Sequence, residues 1–160
     1  MRLALYQPEI PQNAGTLMRL AACLGVPLNI IEPCGFIWQD QKLQRAGMDY
    51  IDLANVQRHA SFGAFIKDHP QRLVLIDTKA ATSFLDFKFE KNDILLLGKE
   101  SVGVPEDVFQ AIPDRVVIPM LQGRRSLNVA VAGAMVLSEA LRQTNGFDRG
   151  STHDNIGAKG

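Results

Sequence analysis

Five short, largely apolar runs, at residues 3–6, 27–31, 73–76, 94–97 and 116–118, limit what this chain can fold into. Three of them, at 73–76 (Leu73, Val74, Leu75, Ile76), 94–97 (Ile94, Leu95, Leu96, Leu97) and 116–118 (Val116, Val117, Ile118), contain no polar residue at all. A strand that alternates apolar and polar residues has one wet face, whereas one apolar throughout is buried on both. Between the runs lie stretches with helical spacing. At 14–24, Leu17, Leu20, Ala21 and Leu24 recur at i, i+3, i+4 and i+7, Asn13 stands at the cap position, and Gly25 stops the helix. Helices are also expected at 39–45, 62–67, 105–111 with Pro105 as first residue, and 126–143 with Ser126 as cap, and a further strand at 50–53. Strands alternating with helices, and covered on both faces, predict an α/β domain built on a mostly parallel sheet with helices on both sides.

At 160 residues the chain is long enough for one domain with a real core, expected over 1–145. Residues 146–160 are rich in Gly, Asp, Ser and Asn and read as a disordered tail. No apolar run approaches the roughly 20 residues of a membrane span, so no membrane partner is expected. Residues 1–6 read as a strand rather than a signal peptide. Cys23 falls on a helix and Cys34 in a turn, the pattern of reduced thiols in a cytoplasmic protein. Lys and Arg equal Asp and Glu at 17 each, so nucleic acid would need a local basic patch.

The chemistry is expected at three places where an apolar run gives way to a helix: residues 10–19, 97–105 and 118–128. Backbone amides are left over at such junctions, and in parallel sheets ligands sit at the carboxyl ends of the strands. Residues 98–103 invite comparison with phosphate loops, but Val104 and Pro105 stand where a Lys and a Ser or Thr would follow the last glycine, and no G-x-G-x-x-G occurs. A strand-end turn accounts for Gly98 and Gly103 and leaves Glu100 unexplained. Arg124 and Arg125 precede Ser126, an arrangement suited to a phosphate or to plain solvation. His59, His69 and His153 have no metal-ligand spacing, and no metal is expected. Trp38, with Phe36 beside it, reads as core ahead of a base-stacking surface. Gly133 on the last helix predicts close packing against another element, within the subunit or across a dimer.

With these residues assembled, the chain resembles the SPOUT superfamily of S-adenosylmethionine-dependent RNA methyltransferases over residues 3–143. Asn13-x-Gly15-x-x-x-Arg19 looks like its first motif, Leu97-Gly98-Lys99-Glu100-Ser101-x-Gly103 its second, and Ile118-Pro119-Met120 with Ser126-Leu127-Asn128 its third. Glu9-Ile10-Pro11-x-Asn13, Glu32-Pro33-x-Gly35-Phe36 and Arg45-Ala46-Gly47-x-Asp49-Tyr50 are similar to the small single-domain branch that methylates the ribose of the tRNA wobble nucleotide, cytidine or uridine. The resemblance implies a C-terminal deep trefoil knot, a homodimer, S-adenosylmethionine as cofactor and the tRNA anticodon stem-loop as partner. It implies that Ile76, Gly98, Ile118 and Ser126 line the cofactor pocket, with Thr78, Glu100, Met120, Leu127 and Asn128 beside it. Arg19 would be the catalytic or RNA-positioning arginine, and Lys42, Arg45, Arg124 and Arg125 would meet RNA phosphates. The alternatives are 2′-O-methylation at another tRNA or rRNA site, and a catalytically silent RNA-binding protein on the same fold.

Overall fold

The computed structural model describes residues 1–38 and 55–147. The chain runs β1 (Arg2–Tyr6), α1 (Pro11–Leu24), β2 (Leu28–Ile31), β3 (Val56–His59), α2 (Phe62–Asp68), β4 (Leu73–Ile76), β5 (Thr82–Ser83), β6 (Ile94–Leu97), α3 (Glu106–Ala111), β7 (Arg115–Val117) and α4 (Val129–Gln143). The strands form one seven-stranded sheet in the order β3-β2-β1-β6-β4-β7-β5, and every pairing is parallel.

The apolar runs are buried on both faces, as their composition requires. Alternate residues of β1 and β6 serve different cores. Leu3, Leu5, Leu95 and Leu97 pack with Leu17, Met18 and Ala21 of α1 and with Val136 and Leu137 of α4. Ala4, Tyr6, Ile94 and Leu96 face the other way, onto Phe65 of α2 and Val108 of α3. Each large side chain so buried contributes about 1.5–3 kcal/mol. Gly133 sits where α4 crosses both α1 and β6: a Cβ there would lie 2.8 Å from Leu97 Cδ1 and 2.9 Å from Leu17 Cδ2. The close packing read from the sequence is therefore within the subunit.

Three helix starts differ from the sequence reading. α1 begins at Pro11 with Ile10 as N-cap, so Asn13 lies inside the first turn and is buried. Proline at the first position needs no amide partner, which frees the Asn13 side chain for long-range contacts. Pro105 is the N-cap of α3 rather than its first residue. α4 is capped by Asn128, not Ser126: its side-chain oxygen accepts from the amides of Ala130 at 2.8 Å and Val131 at 3.3 Å. Two strands were not expected. β3 carries the polar Gln57 and Arg58 because it is an edge strand, and β5 is only two residues long. The helix expected at 39–45 and the strand at 50–53 lie outside the described residues, as does most of the tail.

Phe36 and Trp38 pack against the first core at a 6.4 Å centroid separation, and the Arg58 guanidinium stands 4.8 Å above the Trp38 ring while pairing with Glu32. Both cysteines are free. Burial pushes the Cys34 thiol up to about 11, which keeps it protonated at neutral pH.

Candidate active site

The register aligns the strand ends. Tyr6 pairs with Ile31, Leu5 with Leu97, and Ile76 with both Leu97 and Val116. The residues that follow therefore emerge together at the carboxyl edge. β4 releases Asp77, β6 releases Gly98, and β7 leads to Ile118.

The loop after β6 closes on itself. Lys99 and Gly103 exchange two backbone hydrogen bonds, of 3.0 and 2.9 Å. A Cβ on Gly98 would lie 2.6 Å from the Gly103 carbonyl carbon and 2.9 Å from the Val104 nitrogen, so only glycine permits this approach. Gly103 has φ +73°, in the left-handed region.

This loop is tied to the segment before α1 by two carboxylates reaching in opposite directions. Glu100 accepts hydrogen bonds from the Glu9 amide at 2.8 Å, the Ile10 amide at 3.2 Å and Asn13 Nδ2 at 3.1 Å. In return, Glu9 accepts from the Ser101 amide at 3.0 Å and its hydroxyl at 2.9 Å. These two bonds hold the Glu9 carboxyl below its ordinary value. Asn128 Nδ2 donates to Asn13 Oδ1 at 2.9 Å, which links the α4 cap to the same network. Glu100, inexplicable as a turn residue, orients three donors that the start of α1 would otherwise leave unsatisfied.

Between these loops lies a cavity of about 600 Å³, within the range of sites that enclose a small ligand. Ile76, Thr78, Gly98, Glu100, Ile118, Met120, Ser126, Leu127 and Asn128 all line it, as does Arg125. The three sequence stretches thus converge on one site. Apolar walls from Ile76, Leu97, Ile118 and Ala132 can hold a flat ring. The bare backbone at Gly98 admits a ligand close to main-chain donors and acceptors. A nucleoside-bearing cofactor fits this combination.

Arg19 is placed differently. It is exposed on α1 and is not among the cavity-lining residues. It stands about 9 Å along the helix axis from Asn13, which does line the cavity. Arg124 is exposed and outside the lining as well. Lys42 and Arg45 lie outside the described residues. Asp77 and Lys79 line the cavity without having been singled out from the sequence, and Lys99 entered only as part of the second motif. Their signal was position, one to three residues beyond an apolar run. Among the described residues no group of three or more His, Cys, Asp or Glu could hold a metal ion, and no helix is long and apolar enough to cross a membrane.

Comparison with known proteins supplies the chemistry that this geometry leaves open. A tRNA (cytidine(34)-2′-O)-methyltransferase from Ancylobacter novellus is 55% identical over 155 residues, covering 95% of this chain and 98% of the relative. A solved structure described as giving structural insights into the 2-OH methylation of C/U34 on tRNA superposes with a TM-score of 0.85 at 44% identity, covering 89% of this chain and 94% of that one. The SpoU methyltransferase AviRb from Streptomyces viridochromogenes, solved in complex with the cofactor AdoMet, superposes with a TM-score of 0.80 at 26% identity, over 89% of this chain and 60% of that one. The model of the SpoU rRNA Methylase family matches residues 1–138, and the chain belongs to that family.

Proposed function

We propose that this protein methylates the ribose 2′-hydroxyl of the wobble nucleotide, cytidine or uridine, in the tRNA anticodon loop, with S-adenosylmethionine as methyl donor. The observation that carries this reading is the convergence of three separate stretches on one cavity with apolar walls and a glycine-opened backbone. The acceptor is supported by the relatives, above all the one 55% identical over nearly its whole length. The protein works as a cytoplasmic homodimer, and the C-terminal part of the domain threads a trefoil knot. The insertion of β6 between β1 and β4, and of β7 between β4 and β5, agrees with such threading.

S-adenosylmethionine, when bound, supplies a methyl group on a sulfonium sulfur, already a good leaving group. Most of the acceleration then comes from placing the ribose oxygen in line with that methyl group. Ile76, Gly98, Ile118 and Ser126 form the cofactor wall, and Thr78, Glu100, Met120, Leu127 and Asn128 flank it. Glu100 acts through the segment before α1: by fixing Glu9, Ile10 and Asn13 it sets where that helix begins relative to the cavity. Arg19, about two turns along the same helix, faces the RNA rather than the cofactor. Its guanidinium stabilises the negative charge that develops on the ribose oxygen and cannot itself be the proton acceptor. Arg125 at the cavity, with Arg124, Lys42 and Arg45, holds phosphates of a single-stranded loop whose bases are splayed for recognition.

Incubation with methyl-labelled S-adenosylmethionine and bulk tRNA, followed by nuclease mapping, tests the reading: label belongs on the ribose of nucleotide 34. Arg19→Ala is expected to lower the transfer rate by about 10²–10³-fold with cofactor affinity nearly intact. Full activity in that variant sinks the assignment of Arg19, and label on a base sinks the reaction type.

A further inference from the structure

We propose that Asp77 makes the cavity select the cationic methyl donor over its neutral demethylated product. The inference rests on reading the cavity as an S-adenosylmethionine site.

Five charged residues line the cavity, Asp77, Lys79, Lys99, Glu100 and Arg125, although the Lys79 ammonium itself stands 5.8 Å over the Phe109 ring of α3. The two carboxylates are used differently. Glu100 is committed, with both oxygens accepting from the segment before α1. Asp77 is held in place from the backbone. Its amide donates to the Val116 carbonyl at 3.0 Å, and its carbonyl accepts from the Ala80 amide at 3.2 Å. Its Oδ1 accepts from the Lys79 amide at 2.8 Å. Among the described residues nothing donates to Oδ2. That oxygen faces Gly103, where a Cβ would come within 3.2 Å of it. The left-handed φ of Gly103 disfavours any larger residue there, so the carboxylate stays uncovered. The result is a pre-oriented carboxylate on the cavity wall, with one oxygen that accepts no hydrogen bond from the described residues.

Donor and product differ by one methyl group and one charge: the sulfonium is cationic and the thioether left after transfer is neutral. Any group that binds the shared adenosine, ribose or amino acid parts cannot tell them apart. The charge can be read electrostatically, and the lining cations Lys99 and Arg125 favour the product, because they repel the sulfonium. A fixed carboxylate offsets that repulsion before transfer and loses its hold on the sulfur afterwards. Asp77 thereby favours loading of the donor and release of the product.

Asp77→Asn removes the charge and keeps an oxygen for the Lys79 amide. Calorimetric titration with S-adenosylmethionine and with S-adenosylhomocysteine reads the selectivity directly. The variant is expected to lose about tenfold in affinity for the donor and less than about twofold for the product. Equal losses for both ligands, or no loss, overturn the proposal. A second measurement compares the two proteins across salt: the gap between their donor-to-product affinity ratios should narrow as salt rises from 0.05 to about 0.5 M, and a salt-independent gap also overturns the proposal. If the unaltered protein binds neither ligand, the methyltransferase reading itself fails. If it binds both and methylates tRNA while the ratio ignores Asp77, only this inference fails.

Discussion

The two ends of the sheet handle polar groups in opposite ways. At the amino end they are closed against one another. Arg72 donates through Nε and Nη2 to the two oxygens of Asp93, both at 2.8 Å, and Asp93, only 1% exposed, also accepts from the Glu90 amide at 2.7 Å. Gln143 at the end of α4 accepts from the Phe89 amide and donates to the Phe87 carbonyl, each at 3.0 Å. These contacts fasten the start of β4, the segment leading into β6 and the last helix to one another. At the carboxyl end, polar groups fasten loops but leave a cavity, with Asp77, Lys99 and Arg125 among its lining. A site must keep groups for a ligand, and those groups cannot also be spent on the fold. Stability therefore has to come from elsewhere, here from the apolar strands and the closed amino end.

The contrast breaks if the amino end proves dispensable. Asp93→Ala removes the bidentate partner of Arg72, which keeps Glu90 at 3.5 Å and the Lys88 carbonyl at 3.0 Å, and leaves the Glu90 amide unsatisfied. The remaining partners and the 29% exposure of the Arg72 side chain hold the loss to about 2–3 kcal/mol, which for a domain of this size lowers the melting temperature by roughly 8 °C. Cofactor affinity measured well below the transition should stay within about twofold, since the site lies at the far end of the strands. A stable variant with weakened binding would mean that the two ends are coupled.

Gly98→Ala probes the opposite end. The added Cβ meets backbone, the carbonyl carbon and Cα of Gly103 at 2.6 and 2.7 Å, and backbone cannot turn aside as a side-chain tip can. The loop must move by a few tenths of an ångström or more. Stability should fall by about 1–2 kcal/mol, while cofactor affinity and transfer rate drop about 100-fold, the usual result of misplacing a site by about 1 Å. Denaturant unfolding and calorimetry on one preparation separate the two effects. An unfolded variant with no measurable site would instead place Gly98 among the supports of the fold.

The sequence made the sheet legible because burial on both faces leaves a composition that few other structures produce. β1, β2, β4, β6 and β7 all fall at or within one residue of the apolar runs. β3 and β5 escaped because edge strands can be polar or very short. The cavity was legible in outline, since three strand-end junctions cannot lie far apart in a parallel sheet whose strands start in register. Its polar wiring was not. Nothing in one-dimensional spacing says that Glu100 reaches 87 positions back to Asn13, or that Asn13 hands the contact on to Asn128, 115 positions further along. Asn13 has the signature of a cap because cap residues and long-range hydrogen-bonding residues are the same residue types. Only tertiary placement decides between those uses.

The smallest effect belongs to α4, the element that spans both ends. Asn128 caps it beside the cavity, and Glu139, Arg142 and Gln143 close it at the other end. Arg142 donates through Nε and Nη2 to the Glu139 carboxylate, both at 2.8 Å, and Gln143 adds a third bond of 2.8 Å. The bonds to Arg142, ahead of that to Gln143, pull the Glu139 carboxyl from 4.5 down to about 2. A carboxyl depressed on folding stabilises the protein above its unfolded value, and that contribution disappears as pH falls from about 4.5 through about 2. The Arg142 side chain is 67% exposed, so solvent screens the pair and leaves it only a small contribution. Arg142→Ala should slightly destabilise the protein at pH 7 and lose that effect as pH falls through about 2, and Glu139 should titrate closer to 4.5 by nuclear magnetic resonance. Cofactor affinity should not change at any pH in this series. A shift in affinity would show that the closed end of α4 is felt at its cap, and the separation between the two ends of the sheet would then hold for the strands but not for the helix that joins them.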